Sequence, residues 1–479
     1  MSRTIRILAI LSLAHAVTLS AQARRPTWSD AVLAELDSKS AGYAGIARQV
    51  WGFAEVGYQE EKSSALLQSQ LKSAGFAIEA GVGEMPTAFV ASYGSGKPVI
   101  AIVGEFDALP GLSQDAVPVR KVLIDGGPGH GCGHHLFGTA AAAAAISVKD
   151  WLVAGKRGGT VRFYGTPAEE GGGGKIYMIR AGLFKDVDAV VSWHPGDLNQ
   201  VTRATTLANS SAKFRFHGVS AHAAAAPDQG RSALDGVEAM NAMVNLMREH
   251  VPQETRIHYI ITNGGKAPNV VPDFAEVYYY ARHSDMRILD GIWERILNAA
   301  KGAALGTGTT VDFELVNSVY NVLPNDALAD VMQGALERVG GYSYTPEETA
   351  FAAQIRTSLT GTLPPPDAAT RVIPPETGVS PGSTDMGDLS WVVPTVQLSA
   401  ATWVPGTPAH SWQAVAAGGM SIGSKGMMVA AKTMALTAIE LFSNPAHLPK
   451  ARAEFEKRLG GFVYKSRVGD RKPPLDYRR

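Results

Sequence analysis

The sequence predicts an α/β protein: a mostly parallel sheet covered by helices, interrupted by a smaller inserted domain with ferredoxin-like strand order. Three observations predict it. Continuous apolar runs, "PVIAIVGEF", "GTVRFYGTP", "DAVVSWHP" and "PTVQLSA", read as strands buried on both faces, with helical segments between them. Near Ala208 the pattern switches to strict alternation, the mark of a strand with one wet face. After about residue 318 the first rhythm returns.

Taken in chain order, the elements begin with "MSRTIRILAILSLAHAVTLSAQA". Arg3 and Arg6 precede an apolar run from Ile7 to Leu19, and the small residues Ala21 and Ala23 follow. This is the pattern of a signal peptide over residues 1–23, cleaved after Ala23, so the mature chain is expected to be secreted or periplasmic. No other stretch reads as a membrane span. The alanine-rich "GTAAAAAAISVKDWLVAG" and "KIYMIRAG" read as helices between the sheet strands.

The inserted domain is expected at 207–318, leaving 24–206 and 319–479 to the larger one. In "SAKFRFHG", Ala212, Phe214 and Phe216 share one face, opposite Lys213, Arg215 and His217. A helix from Ser232 to His250 carries Leu234, Val237, Met240, Val244 and Met247 on one side. The strands "RIHYIIT" and "FAEVYYYAR" come next, then a helix with Ile288, Ile292 and Ile296 as its buried stripe, then "TTVDFELVNSVY". The loop Thr357–Asp385, rich in proline and glycine, is long enough to be a lid or mobile insertion. The charged tail "KSRVGDRKPPLDYRR" is expected to fray.

Composition narrows the function. The 479 residues hold 44 basic and 44 acidic side chains, so no global field draws in nucleic acid or an anionic membrane surface. The single cysteine, Cys132, cannot close a disulfide within its own chain. It sits in "GPGHGCGHHLFG", one glycine away from His134. Thiolate and neutral imidazole are zinc-type ligands, but a Cys-x-His triplet alone is weak.

Further signals fall where open parallel sheets place their sites, beyond the carboxyl ends of strands. Glu169 and Glu170 follow one strand in "TPAEEGGGGK", where one carboxylate binding metal and its neighbour moving protons would divide the work. His194 ends another strand in "VVSWHPG", and His410 lies in "VPGTPAHSW". Asp107, in "GEFDALP", is placed to orient a ligand imidazole from behind. Jointly these residues exceed the ligand set of one catalytic zinc and leave room for two metals, with Cys132 a ligand able to bridge them.

The motifs "GEFDALPGLSQ", "GHGCGHHLFG", "TPAEEGGGGK", "GVSAHAAAAPDQGRSALDG", "APNVVPD", "GSTDMGDLSWVVPT" and "GTPAHSW" resemble the metal-dependent aminoacylase and carboxypeptidase family of amidohydrolases. Within it they are most similar to the subgroup acting on p-aminobenzoyl-glutamate-like conjugates. The resemblance implies a zinc-peptidase-like catalytic domain with an inserted lid and dimerisation domain, and two divalent ions, zinc or manganese. The implied metal ligands are Cys132, His134, Glu170, His194 and His410, with Glu169 as general base. It also implies His222 as the group polarising the scissile carbonyl, and Asn269 and Arg282 as substrate-binding positions.

The implied reaction is hydrolysis of the amide bond of N-acyl or N-aroyl amino acids, by a homodimer joined through the lid. Two rivals stay open: a non-catalytic or partner-dependent subunit that binds acylated amino acids, and an amidase with Cys132 as nucleophile. His135 stands where this branch more often has aspartate, and its role and that of His130 are left open.

Overall fold

The apolar runs are strands, and they lie side by side. The computed structural model describes residues 27–478, so the leader expected over 1–23 lies outside it. The chain opens with two helices that the apolar pattern does not mark, α1 (Trp28–Phe53) and α2 (Glu61–Ser73). Thr27 caps α1 reciprocally with Asp30, satisfying two backbone donors that would otherwise be unpaired. There follow β1 (Ala77–Ala80), β2 (Phe89–Ser95), β3 (Val99–Glu105), α3 (His134–Ala154), β4 (Gly159–Thr166), α4 (Gly174–Arg180), β5 (Ala189–Gly196) and β6 (Gln200–Thr202). A second set then intervenes: β7 (Ala208–His217), α5 (Ala233–Met247), β8 (Arg256–Asn263), β9 (Phe274–His283), α6 (Met286–Thr307) and β10 (Thr310–Val319). The chain returns through α7 (Asp326–Val339), α8 (Pro346–Arg356), α9 (Met386–Ser390), β11 (Thr395–Ala401), α10 (Trp412–Gly418), α11 (Ser421–Ser443) and α12 (His447–Leu459).

The larger sheet has seven strands in the order β1-β2-β4-β3-β5-β11-β6. Its centre, β4-β3-β5-β11, is parallel, and β1, β2 and β6 join antiparallel at the edges. Every residue of β3 is buried, which is why this run does not alternate. One face carries α1, α3, α7 and α11, the other α4 and α9. The buried run Ala140–Ala145 keeps α3 slim enough to lie close against the sheet. By composition α3 and α11 are apolar enough to cross a bilayer, contrary to the sequence reading. Both are core helices, with 83% and 78% of those windows buried in the protein.

The inserted strands make a four-stranded antiparallel sheet, β10-β7-β9-β8, with α5 and α6 on one face. Ala212, Phe214 and Phe216 are buried while their alternates are not. The stripe expected on α6 needs one correction. Ile288 is 41% exposed, and Met286, Leu289, Ile292, Trp293 and Ile296 face the core. Steps of four residues overshoot a full turn by about 40° each, so positions 288, 292 and 296 cannot all stay on one stripe.

Two further expectations are revised. The 357–385 loop is not free: its extended part pairs with residues 199–207 through bridges at Asn199–Val372, Thr202–Glu376 and Thr205–Val379. Nor does the tail fray. Phe462 packs on Tyr320 and Trp391, and Tyr464 donates its hydroxyl to Asp388 at 2.8 Å. These are long-range contacts between aromatic and ionic partners that local composition does not encode.

Asp388 is buried, and burial pushes its carboxyl up to about 7, although it accepts bonds from Tyr464 and the Tyr320 amide. A carboxyl whose folded pKa lies above its unfolded value favours the fold while protonated. That contribution is complete below about pH 4 and is lost as pH rises through about 7. Asp388→Asn keeps the shape without the charge. Thermal melts of the variant should vary less between about pH 4 and 7 than those of the native chain. Equal slopes would show that this carboxyl does not titrate as described.

Candidate metal centre

The four parallel strands end on one rim, and the chemistry collects there. β3 delivers Glu105 and, two residues on, Asp107; β4 leads to Glu169 and Glu170; β5 carries His194; the loop after β11 carries His410. The loop before α3 supplies Cys132 and His134. Between them Gly133 adopts φ +75°, a left-handed bend glycine tolerates freely, and a Cβ there would come within 2.7 Å of the Pro195 side chain. The bend turns both ligands toward one point. The His410 amide donates to the Gly131 carbonyl at 2.9 Å, joining the two loops.

The five residues that the resemblance implies as metal ligands do converge. Ligand atoms of Cys132, His134 and His194 lie within 4.8 Å of one another, and so do those of Cys132, Glu170 and His410. Cys132 belongs to both groups. A third group joins Glu105, His134 and Glu169. Cys132 Sγ is 3.4 Å from His194 Nε2, while His194 Nδ1 donates to the Pro195 carbonyl at 2.7 Å. A carbonyl only accepts, so the proton sits on Nδ1 and the Nε2 lone pair faces the thiol. Burial pulls His194 down to about 4, keeping it the neutral ligand form. His134 is fixed the same way, its Nδ1 donating to Asp107 Oδ1 at 2.8 Å, and Asp107 Oδ2 accepts the Glu170 amide at 3.0 Å. Asp107 thus orients one ligand and the backbone of another.

The adjacent acids diverge electrostatically. Burial, with Glu105 and Glu170 nearby, raises Glu169 well above the usual carboxylate range. Burial opposes ionisation of Glu170 too, but His410 and His134 outweigh it and hold that carboxyl low. Its Oε1 lies 3.0 Å from His410 Nε2. Burial also raises the Cys132 thiol, so no thiolate forms there unless a cation is bound.

The donor set fits divalent metal. His134 Nε2, Glu105 Oε2 and Glu170 Oε1 are buried and have no hydrogen-bond partner, a costly arrangement for polar atoms. All three belong to the groups just described, and sulfur, nitrogen and oxygen donors in this mix suit zinc and its neighbours.

Sequence reading passes over several contributors. Lys175 is fully buried, with Nζ 2.7 Å from Glu105 Oε1 and 2.6 Å from Asp385 Oδ1. Glu60 Oε1 accepts the Ala168 amide at 2.8 Å. Glu105 and Asp385 stand inside quoted motifs, and their signal is Glu105's i,i+2 relation to Asp107. His130 and His135 fall outside the ligand groups. Their Nε2 atoms donate to the carbonyls of Val50 at 3.1 Å and Gly418 at 3.0 Å, tying loops together. Burial keeps both neutral, His130 at about 4.

His222 and Asn269 sit together on the inserted domain, with the Ala223 amide donating to the Asn269 carbonyl at 3.1 Å. Both are exposed. Arg282 lies on β9, 3.5 Å from Ser383 Oγ. Among the described residues, no hydrogen bond or ion pair links these three to the ligand groups.

A sulfur, carboxylate and imidazole centre on the rim of such a sheet, beside an inserted lid, defines a metal-dependent amidohydrolase. Residues 101–414 match the family model for peptidase family M20/M25/M40, and the chain belongs to that family. It is 43% identical over 442 residues to one of the two kinds of chain in the p-aminobenzoyl-glutamate hydrolase of Escherichia coli, covering 87% of this chain and 92% of the relative. It is 29% identical to the Xaa-Arg dipeptidase of Mus musculus, covering 88% and 91%. A dinuclear metal-binding peptidase of family M20 from Bacillus subtilis shares the fold, with TM-score 0.59 at 18% identity, covering 85% and 99%.

Proposed function

We propose that this enzyme hydrolyses the amide bond of N-acyl or N-aroyl amino acids, p-aminobenzoyl-glutamate among them, releasing the free amino acid. The observation that carries the reading is the pair Glu169 and Glu170, adjacent in sequence but driven to opposite protonation states. Such a split marks one group for proton transfer and the other for binding a cation. The relatives, a hydrolase of p-aminobenzoyl-glutamate and a dipeptidase, support an amide next to an amino acid as the target.

In this reading Cys132, His134, Glu170, His194 and His410 hold two divalent ions, zinc or manganese. When bound, such ions acidify water and polarise the scissile carbonyl. Glu169 takes the water proton and passes it to the leaving amine nitrogen. His222 Nδ1 accepts the amides of Ala224 at 3.2 Å and Ala225 at 3.1 Å, which leaves the proton on Nε2. That N–H is the donor for the carbonyl oxygen as charge develops. Arg282, whose Nε is buried without a partner, takes the substrate carboxylate beside Asn269. The exposed position of His222, and exposed Ile260 and Ile261 on the edge strand β8, support a homodimer in which each lid serves the opposite protomer.

The test is an assay of the purified chain, alone, on p-aminobenzoyl-glutamate, other aroyl-amino acids and simple N-acyl amino acids. Turnover should vanish with a chelator and return with zinc or manganese. Full activity after chelation would overturn the metal reading and favour a Cys132 nucleophile. Substrate binding without turnover, metal present, would favour the non-catalytic, partner-dependent reading.

A further inference from the structure

The loop bearing Glu169 and Glu170 has little of its own to hold it still. Ala168 adopts φ +55°, unusual for a residue with a Cβ, and Gly171 adopts φ +98°. Four glycines, 171–174, offer no side chain to pack. A backbone of this kind keeps its shape only if groups outside the loop impose it. Glu60 holds the Ala168 amide, Tyr58 donates to the Gly172 carbonyl at 2.8 Å, and Asp107 holds the Glu170 amide. The remaining anchor comes from the segment expected to fray. The Tyr477 hydroxyl donates to the Glu170 carbonyl at 3.0 Å, and Arg478 Nη2 donates to the same oxygen at 2.7 Å.

Both lone pairs of that carbonyl are therefore used, and the peptide planes on either side of Glu170 are pinned. The site for Tyr477 is shaped to receive it. Its ring packs edge-on against Tyr58 at 5.7 Å, and a Cβ on Gly57 would fall 2.3 Å from its hydroxyl. Upstream, Gln59 Nε2 donates to the Leu475 carbonyl at 2.8 Å, and Arg471 donates to the carbonyls of Leu315 and Val316 on β10. The segment thus runs from the inserted sheet to the two-carboxylate loop.

We propose that Tyr477 and Arg478 are positioning residues: by clamping the Glu170 carbonyl they aim Glu170 at the metal and Glu169 at the water. This rests on the roles proposed above for those two acids. The test compares Tyr477→Phe, Arg478→Lys, Arg478→Ala and the double variant Tyr477→Phe/Arg478→Ala with the native chain. Metal affinity, kcat, KM and thermal midpoint are measured for each.

The double variant should stay folded, bind metal about 10–100-fold more weakly, and lose kcat by a similar factor at saturating metal, with KM within about twofold. Arg478→Lys, which keeps a donor, should recover most of what Arg478→Ala loses. Native metal affinity and kcat in the double variant would overturn the proposal. So would a loss that follows the fall in thermal midpoint across all four variants, since that marks a structural role alone. The affinity arm needs no turnover, so it decides the clamp even if the substrate assignment fails.

Discussion

Glu169→Gln should bind the same metal complement as the native chain and lose roughly 10²–10⁴-fold in kcat, the range a positioned proton-transfer group supplies. The amide keeps the size and hydrogen-bonding outline of the acid but can neither accept the water proton nor hand it on. Metal content should hold because the five proposed ligands lie elsewhere. The neighbouring change Glu170→Gln should behave differently, losing metal first and turnover as a consequence. Metal analysis beside steady-state kinetics separates the two. If Glu169→Gln turned over at the native rate, or if both variants lost metal equally, the division of labour between these acids would be wrong.

Cys132→Ala should be at least as damaging by another route. The thiol belongs to both ligand groups, so its removal weakens two sites at once. Substitutions behind a metal ligand commonly cost about 10–100-fold in affinity or activity, and removing a shared ligand should exceed that. The fold should survive, because Cys132 is a small side chain and its neighbours His134 and His194 keep their own anchors on Asp107 and Pro195. Excess zinc or manganese should restore activity only in part. An alanine variant with native metal content and native turnover would remove Cys132 from the site.

The positions of these residues are legible in the sequence because parallel sheets concentrate ligands at strand ends. Continuous apolar runs locate β3, β4, β5 and β11, and the polar residues just past them, Asp107, Glu169, Glu170, His194 and His410, follow directly. What stays hidden has one cause: it depends on contacts between distant segments. Lys175 reads as an ordinary helix-start lysine, yet it is buried between Glu105 and Asp385. Tyr58 and Glu60 lie before the first recognisable strand, and Tyr477 lies far beyond the last, yet all three hold the same loop. Ile288 is misplaced for a local reason, the drift of four-residue steps around a helix. His222, Asn269 and Arg282 come from resemblance alone, since no spacing rule selects exposed residues on an inserted domain.

One sulfur joining two ligand groups into a single centre for two cations is the feature on which the proposed chemistry depends. Anomalous diffraction at the zinc or manganese edge, on crystals of the metal-loaded native chain and of Cys132→Ala, tests it most directly. The native crystals should show two peaks, one bonded by His134 and His194, the other by Glu170 and His410, with Cys132 Sγ reaching both, and the alanine crystals should lose at least one. A native map with no peak in contact with Cys132 would contradict the account.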